Sequence, residues 1–117
     1  MSRVLVTAIL SLGNLRAAEA RPELREMLHH RDPEVRAKSL LSLGVIGNTD
    51  DFDEMLKTTL ALPPEQLYTG AQGLVKLGDP RAIGPLEDRA RSLNDPTARA
   101  ALDSAITQLR TRTSSKP

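Results

Sequence analysis

The residues of this chain that could carry metal or acid–base chemistry are its two histidines and one cluster of carboxylates. His29 and His30 are adjacent, and adjacent side chains on a helix point about 100° apart, which suits chelation of a single ion poorly. At the C-terminal end of a helix, histidines instead interact favourably with the helix dipole. We therefore predict that the pair is solvated and that neither histidine is a catalytic residue or a metal ligand.

The carboxylate cluster consists of Asp50, Asp51, Asp53 and Glu54. One interpretation is a cation site, but the spacing lacks the alternating ligands and the bidentate glutamate of a calcium-binding loop. The other interpretation is that these acids lie at the start of a helix, where negative charge complements the helix dipole. We favour the second interpretation and predict no catalytic residue, no metal and no cofactor in this chain.

The composition narrows the class of protein further. The chain of 117 residues has no cysteine, a formal net charge of +1 and only two aromatic residues, one tyrosine and one phenylalanine. Disulfides and thiolate metal sites are excluded. A near-neutral charge and few stacking side chains argue against a nucleic-acid-binding protein. No apolar run approaches the ~20 residues of a membrane span, and we expect a cytoplasmic protein without a membrane contact.

Residues that start and stop helices recur along the chain in one register: Gly47 and Gly78 are 31 residues apart, and Asp32 and Asp95 are 63 apart, about twice that interval. Aspartate is a good N-cap, proline suits the first helical position, and glycine favours the left-handed residue at which a helix ends. The aspartate–proline pairs are Asp32-Pro33, Asp79-Pro80 and Asp95-Pro96, and the glycines are Gly47 and Gly78. These helix start and stop residues predict tandem units of two helices each.

The second helix of each predicted unit carries an apolar-leaning stripe at positions i, i+3, i+7 and i+10. The stripe begins at Phe52 in one unit and, 31 residues later, at Ile83 in the next. We therefore predict an all-α fold, an α–α superhelix in the form of a right-handed solenoid with about three and a half repeats and roughly seven helices. The repeat domain spans 1–110, with a flexible C-terminal tail after it; the repeats run at about 1–31, 32–62, 63–94 and 95–110, and the tail at 111–117.

These motif residues resemble the HEAT-repeat family, in particular the short bacterial repeats related to phycobilisome lyases. The aspartate–proline openings, the arginines that follow them and the Gly78-Asp79-Pro80 turn carry the resemblance over about residues 3–110. The resemblance implies a non-catalytic scaffold that binds a protein partner along its curved helical surface. Two alternatives stay open, an accessory subunit of an enzyme such as a bilin lyase and a HEAT-like module that binds nucleic acid.

Two features inside the repeats have more than one interpretation. Arg36 and Arg99 occupy the same recurrent position, and we favour a bond to a turn carboxylate or carbonyl between repeats over a ligand contact. Gly70 and Gly73 lie inside the first helix of the third repeat, where each costs about 1 kcal/mol relative to alanine. Either these glycines weaken that junction, or they allow two helices to approach closely.

The candidate partner surface consists of polar positions opposite the apolar stripe, because in the family that the chain resembles the second helices line the concave side. These positions are Glu23, Glu26, Asp53, Lys57, Arg81 and Asp88. One interpretation is a solvated charge ladder, and the sharper hypothesis is contact with a basic or mixed-charge protein surface. The first helix is apolar on more than one side, at Val4, Leu5 and Ile9, which predicts a contact with another copy or a neighbouring domain.

Overall fold

The structure, a computed structural model, describes residues 18–114, and in that range it contains six α-helices and no β-strand. The helices are α1 (Arg21–Met27), α2 (Pro33–Ile46), α3 (Phe52–Leu60), α4 (Leu67–Leu77), α5 (Ile83–Ser92) and α6 (Pro96–Ser114). Four of them are preceded by a single 3-10 turn, at Ala18–Ala20, Thr49–Asp51, Pro64–Gln66 and Pro80–Ala82. The predicted all-α repeat fold is confirmed. The predicted first helix, with Val4, Leu5 and Ile9, lies outside the described residues.

The helices form two layers. Helices α2, α4 and α6 lie side by side in the first layer, and α1, α3 and α5 form the second, where each packs against the next first-layer helix along the chain. Fully buried leucines fill the space between the layers, among them Leu24, Leu40, Leu74 and Leu102. Each hairpin therefore buries its apolar side against its neighbours, as expected of tandem repeats.

The same helix-capping chemistry recurs in successive repeats. The Asp32 and Asp95 carboxylates accept a hydrogen bond from the backbone N–H two residues later, at 2.9 Å in each case, and Asp79 does so at 3.0 Å. Gly47 and Gly78 end α2 and α4 with φ of 79° and 77°, in the left-handed region that favours glycine. The first-layer helices α2 and α4 therefore end in the same way, 31 residues apart.

Helices α2 and α4 approach each other closely through glycine. A Cβ atom added to Gly44 would meet the backbone of Gly73, with that residue's carbonyl carbon 2.9 Å away. A Cβ atom added to Gly73 would meet the backbone of Leu40, with its carbonyl carbon 2.6 Å away. The two helices thus touch backbone to backbone, which supports the close-approach interpretation of Gly73.

Helix α6 continues beyond the predicted end of the repeat domain at residue 110. Residues 111–114, which the sequence assigned to a flexible tail, belong to this helix in the structure. The physical reason is a contact between repeats, because the Arg112 guanidinium donates to the carbonyl oxygens of Val75 and Lys76 near the end of α4. A cation near the negative end of a helix dipole is favourable, so this contact holds the last turns of α6 against α4.

Candidate functional site

All six predicted partner-surface residues are exposed and belong to the second layer. Buried residues of the same elements, Leu24, Met55 and Leu86, point towards the first layer, so the polar positions lie on the opposite side. We call this outer side the second-helix face. It consists of Glu23 and Glu26 of α1, Asp53 and Lys57 of α3, Arg81 of the 3-10 turn before α5, and Asp88 of α5.

The charged groups of the second-helix face do not form a continuous ladder, although the charge of Asp53 helps to raise the pKa of Arg81. Glu26, Lys57 and Asp88 stand 31 residues apart, yet Asp88 pairs with Arg91 of its own helix. Among residues 18–114, the side chains of Glu26 and Lys57 form neither a hydrogen bond nor an ion pair. Glu26 and Lys57 therefore present one charge of each sign that is free to meet a partner.

Arg81 is held in place at one end of this face. Its Nη2 lies 2.6 Å from Oδ2 of Asp79, and its guanidinium carbon lies 4.3 Å from the centre of the Phe52 ring. The hydrogen bonds from Arg81 lower the pKa of Asp79, and the same contact raises the pKa of Arg81. Arg81 links the Asp79 turn to the start of α3 through a cation–π contact.

Because its folded-state pKa is lowered, Asp79 contributes stability that is complete at neutral pH and is lost as the pH falls below about 4, the ordinary range of aspartate. Asp79→Asn keeps a capping side chain but loses the charge. We expect this variant to be modestly less stable than the unmodified chain at pH 7, and the difference to shrink as the pH falls below that range. Urea unfolding followed by circular dichroism across this pH range measures it.

The control for this prediction removes Arg81, whose hydrogen bonds are the main cause of the lowered pKa of Asp79. In an Arg81→Met background, Asp79→Asn should change the unfolding free energy by an amount that varies much less with pH. A difference that persists unchanged into strong acid would contradict a role for the Asp79 charge.

Between α1 and α3 lies an ion-pair cluster that sequence patterns did not reveal; we call it the α1–α3 ion network. Arg21 donates from Nε and Nη2 to the two carboxylate oxygens of Asp51, at 2.7 and 2.9 Å. Arg25 lies 3.3 Å from Asp51 and 3.1 Å from Glu54, whose other oxygen is 3.1 Å from His29 Nε2. Asp51 is completely buried, so its charge is matched by cations from the preceding repeat.

The network revises the interpretation of the acidic cluster. Asp51 holds the N-cap position of α3 but forms no side-chain cap bond, because its carboxylate faces α1 instead. The hydrogen bond to Asp51 raises the pKa of Arg21. The available signal was the spacing: Arg21 and Asp51 are 30 residues apart and Arg25 and Glu54 are 29 apart, close to one repeat. Of the two predicted solvated histidines, His29 is largely exposed and His30 Nδ1 accepts from the Asp32 N–H at 3.0 Å.

The surface also has concave regions where one repeat meets the next. The first notch has a volume of about 420 Å³ and is lined by Leu28, His29, Arg36, Glu54, Lys57, Thr58 and Ala61. A smaller hollow of about 270 Å³ continues from it along α1 and shares His29 and Glu54 with it. The second notch, of about 350 Å³, is lined by Glu87, Ala90, Arg91, Arg99, Asp103, Ile106, Thr107 and Arg110.

The two recurrent arginines differ in their contacts. Arg36 donates from Nη1 to the carbonyl oxygens of His30 and Arg31, at 2.7 and 3.2 Å, and so ties the start of α2 to the end of the preceding repeat. Arg99 is exposed in the second notch and forms no side-chain hydrogen bond or ion pair in the part of the chain that the structure describes. The first notch is therefore built around a fixed arginine and the second around a free one.

Some chemistry can be assessed for the described segment alone. Between residues 18 and 114, no three histidine or carboxylate side chains gather into a potential metal site. Over the same range, the helices are too short or too polar to span a bilayer. Tyr68 is the one large hydrophobic side chain that is exposed in this segment. The surfaces considered below as binding sites are the polar second-helix face and the notches beside it.

Sequence comparison assigns the family. None of the curated proteins resembles the chain closely enough to count as a match. The family model for HEAT repeats matches residues 2–71, more than half of the chain, and covers the first two predicted repeats with the start of the third. HEAT repeats generally mediate protein–protein interaction, and the family is typically a non-catalytic scaffold. The recurring caps, the two layers of helices and this match together show that the chain belongs to the HEAT-repeat family.

Proposed function

We propose that this chain is a non-catalytic module that binds a protein partner along its second-helix face. The observation that carries the proposal is the state of the charges there: Glu26 and Lys57 are exposed and form no side-chain hydrogen bond or ion pair with any other residue in the range 18–114. Unpaired charges at equivalent positions of successive repeats form an electrostatic pattern that a partner surface can complement. Such complementarity governs the rate and the specificity of association.

The chemistry of the face also indicates the kind of partner. Four of its six residues are acidic and two are basic, and one of the basic residues, Arg81, is already paired with Asp79. A basic or mixed-charge protein surface complements this arrangement. Two expectations stay predictions from the sequence: a contact with another copy or a neighbouring domain through Val4, Leu5 and Ile9, and a location in the cytoplasm.

The test begins with chemical cross-linking in the native organism and identification of the captured protein by mass spectrometry. The purified pair is then followed by biolayer interferometry. Reversing two acidic charges, with Glu26→Lys and Asp88→Lys together, should lower the association rate constant by about tenfold at low ionic strength. The effect should shrink as salt is added, since exposed charges are screened.

A matched control places the same charge change elsewhere. Glu65 and Asp50 are exposed acids that belong neither to the second-helix face nor to the two notches, so Glu65→Lys with Asp50→Lys alters the net charge equally. The control should change the association rate much less than the variant of the face. Equal effects of the two double variants, or no effect of either, would overturn the proposed location of the binding surface.

A further inference from the structure

The first notch combines an apolar floor with cationic walls. The uncharged residues that line it include Leu28, which is 2% exposed, and Thr58 and Ala61 at the C-terminal end of α3. A concavity of about 420 Å³ is within the range of roughly 300–1,000 Å³ that is typical of ligand sites. It can therefore take one or two side chains of an incoming chain, with apolar contact below and charge around them.

The charges that line the first notch leave a positive surplus. Glu54 is the one acid among the described residues that line it, and it is already engaged by Arg25 and His29. Arg36 uses Nη1 for two backbone carbonyls and has further N–H donors on the same guanidinium. The Lys57 ammonium is exposed and has no hydrogen-bonding or ionic partner within the described 18–114 range. The group that complements this set is a carboxylate.

The second notch lies at the equivalent position two repeats later. Ala90, Arg91 and Arg99 stand 62 or 63 residues after Leu28, His29 and Arg36, so each notch lies at the same kind of junction between repeats. Its arginines outnumber its acids by three to two, and Arg99 is the one without an acidic partner among the residues described. One elongated partner could therefore place acidic residues at two equivalent points of the array.

We infer that the first notch binds an acidic peptide segment of the partner, with carboxylates at Lys57 and Arg36 and a small or aliphatic side chain on the Leu28 floor. The inference rests on the proposed function, because it names the chemistry of the partner at the edge of the same face. It also specifies how a partner of mixed charge would bind: basic groups of the partner contact Glu23 and Glu26, and its acidic segment enters the notch.

The probe is a fluorescein-labelled peptide in which glutamate alternates with alanine and leucine, measured by fluorescence anisotropy against the full chain at low salt. We expect saturable binding, and Lys57→Glu should weaken it about tenfold. Lys76 is an exposed lysine of α4 that lines neither notch, so Lys76→Glu should leave the affinity nearly unchanged. Circular dichroism of both variants checks that the fold is intact, as neither lysine side chain forms a hydrogen bond or an ion pair within residues 18–114.

The outcomes separate this inference from the proposed function. Absence of peptide binding, or equal losses in the two lysine variants, overturns the acidic-segment inference even if the cross-linked partner still depends on Glu26 and Asp88. Peptide binding without any dependence of partner association on Glu26 and Asp88 supports the notch and rejects the proposed face. Tighter binding of a single-stranded oligothymidine than of the peptide would also overturn the inference, since a nucleic acid would then be the better occupant.

Discussion

Replacing Gly73 with alanine is expected to lower the free energy of unfolding by about 3 kcal/mol, near the upper end of the usual cost of overpacking. The added methyl group has no space, because the Leu40 carbonyl carbon lies 2.6 Å from its position and belongs to backbone that no rotamer change can move. Helices α2 and α4 would have to separate, and this separation would disrupt the packing between the second and third repeats. Urea unfolding followed by circular dichroism at 222 nm measures the change.

Gly84 provides the matched control in the same molecule. It lies near the start of α5, and a Cβ atom added there meets nothing within 4 Å. Gly84→Ala should therefore change the unfolding free energy by no more than about 1 kcal/mol in either direction, because the lower conformational entropy cost of alanine in a helix is opposed by Pro85, whose ring disfavours a helical residue with a Cβ before it. If Gly73→Ala were as well tolerated as Gly84→Ala, the backbone contact between α2 and α4 would not exist as described.

Replacing Asp51 with alanine should cost about 2 kcal/mol, the second-largest effect that we expect. The variant loses charge-assisted hydrogen bonds, each of which contributes roughly 1.5–3 kcal/mol. The estimate stays at the lower end because Arg21 and Arg25 are 25% and 43% exposed and can regain water once the carboxylate is gone. The loss should be local. Relative to the unmodified chain, the variant should therefore show a larger increase in hydrogen-exchange rate for the backbone amides of α1 than for those of α4 and α6.

The neighbouring acid separates burial from charge in this experiment. Asp50 is exposed and precedes Asp51 in the same 3-10 turn, so Asp50→Ala removes an equal charge from almost the same place. Its effect on stability should stay within about 0.5 kcal/mol, as is usual for surface substitutions. Hydrogen exchange measured by mass spectrometry on both variants decides the matter. Equal exchange in α1 for the two variants would contradict a locking role for the α1–α3 ion network.

The features that sequence predicted well are those whose cause is local. An aspartate before a proline and a glycine at a helix end each act within a few residues, and Asp32, Asp95 and Gly47 take those conformations in the structure. The 31-residue interval then extends local signals into a repeat architecture, and the match to the HEAT-repeat family agrees with it.

The features that sequence missed depend on two distant segments at once. The pairing of Arg21 with Asp51 requires α1 to lie against the start of α3, and neither residue stands out within its own segment. The polar composition of residues 111–114 concealed a helical turn that Arg112 holds by reaching back to α4. The exposure of the second-helix face could be predicted from periodicity, whereas the notches beside it arise only where separate elements meet.

The backbone contact between Gly44 and Gly73 also constrains how this protein can diverge. Each glycine is confined by main-chain atoms of the opposite helix, so a larger residue at one position cannot be accommodated by any exchange at the other. Proteins that descend from this chain and keep this helix spacing must therefore keep glycine at both positions. The outward residues of α1, α3 and α5 carry no such restriction, so a lineage can acquire a new partner by surface substitution while it inherits the same frame.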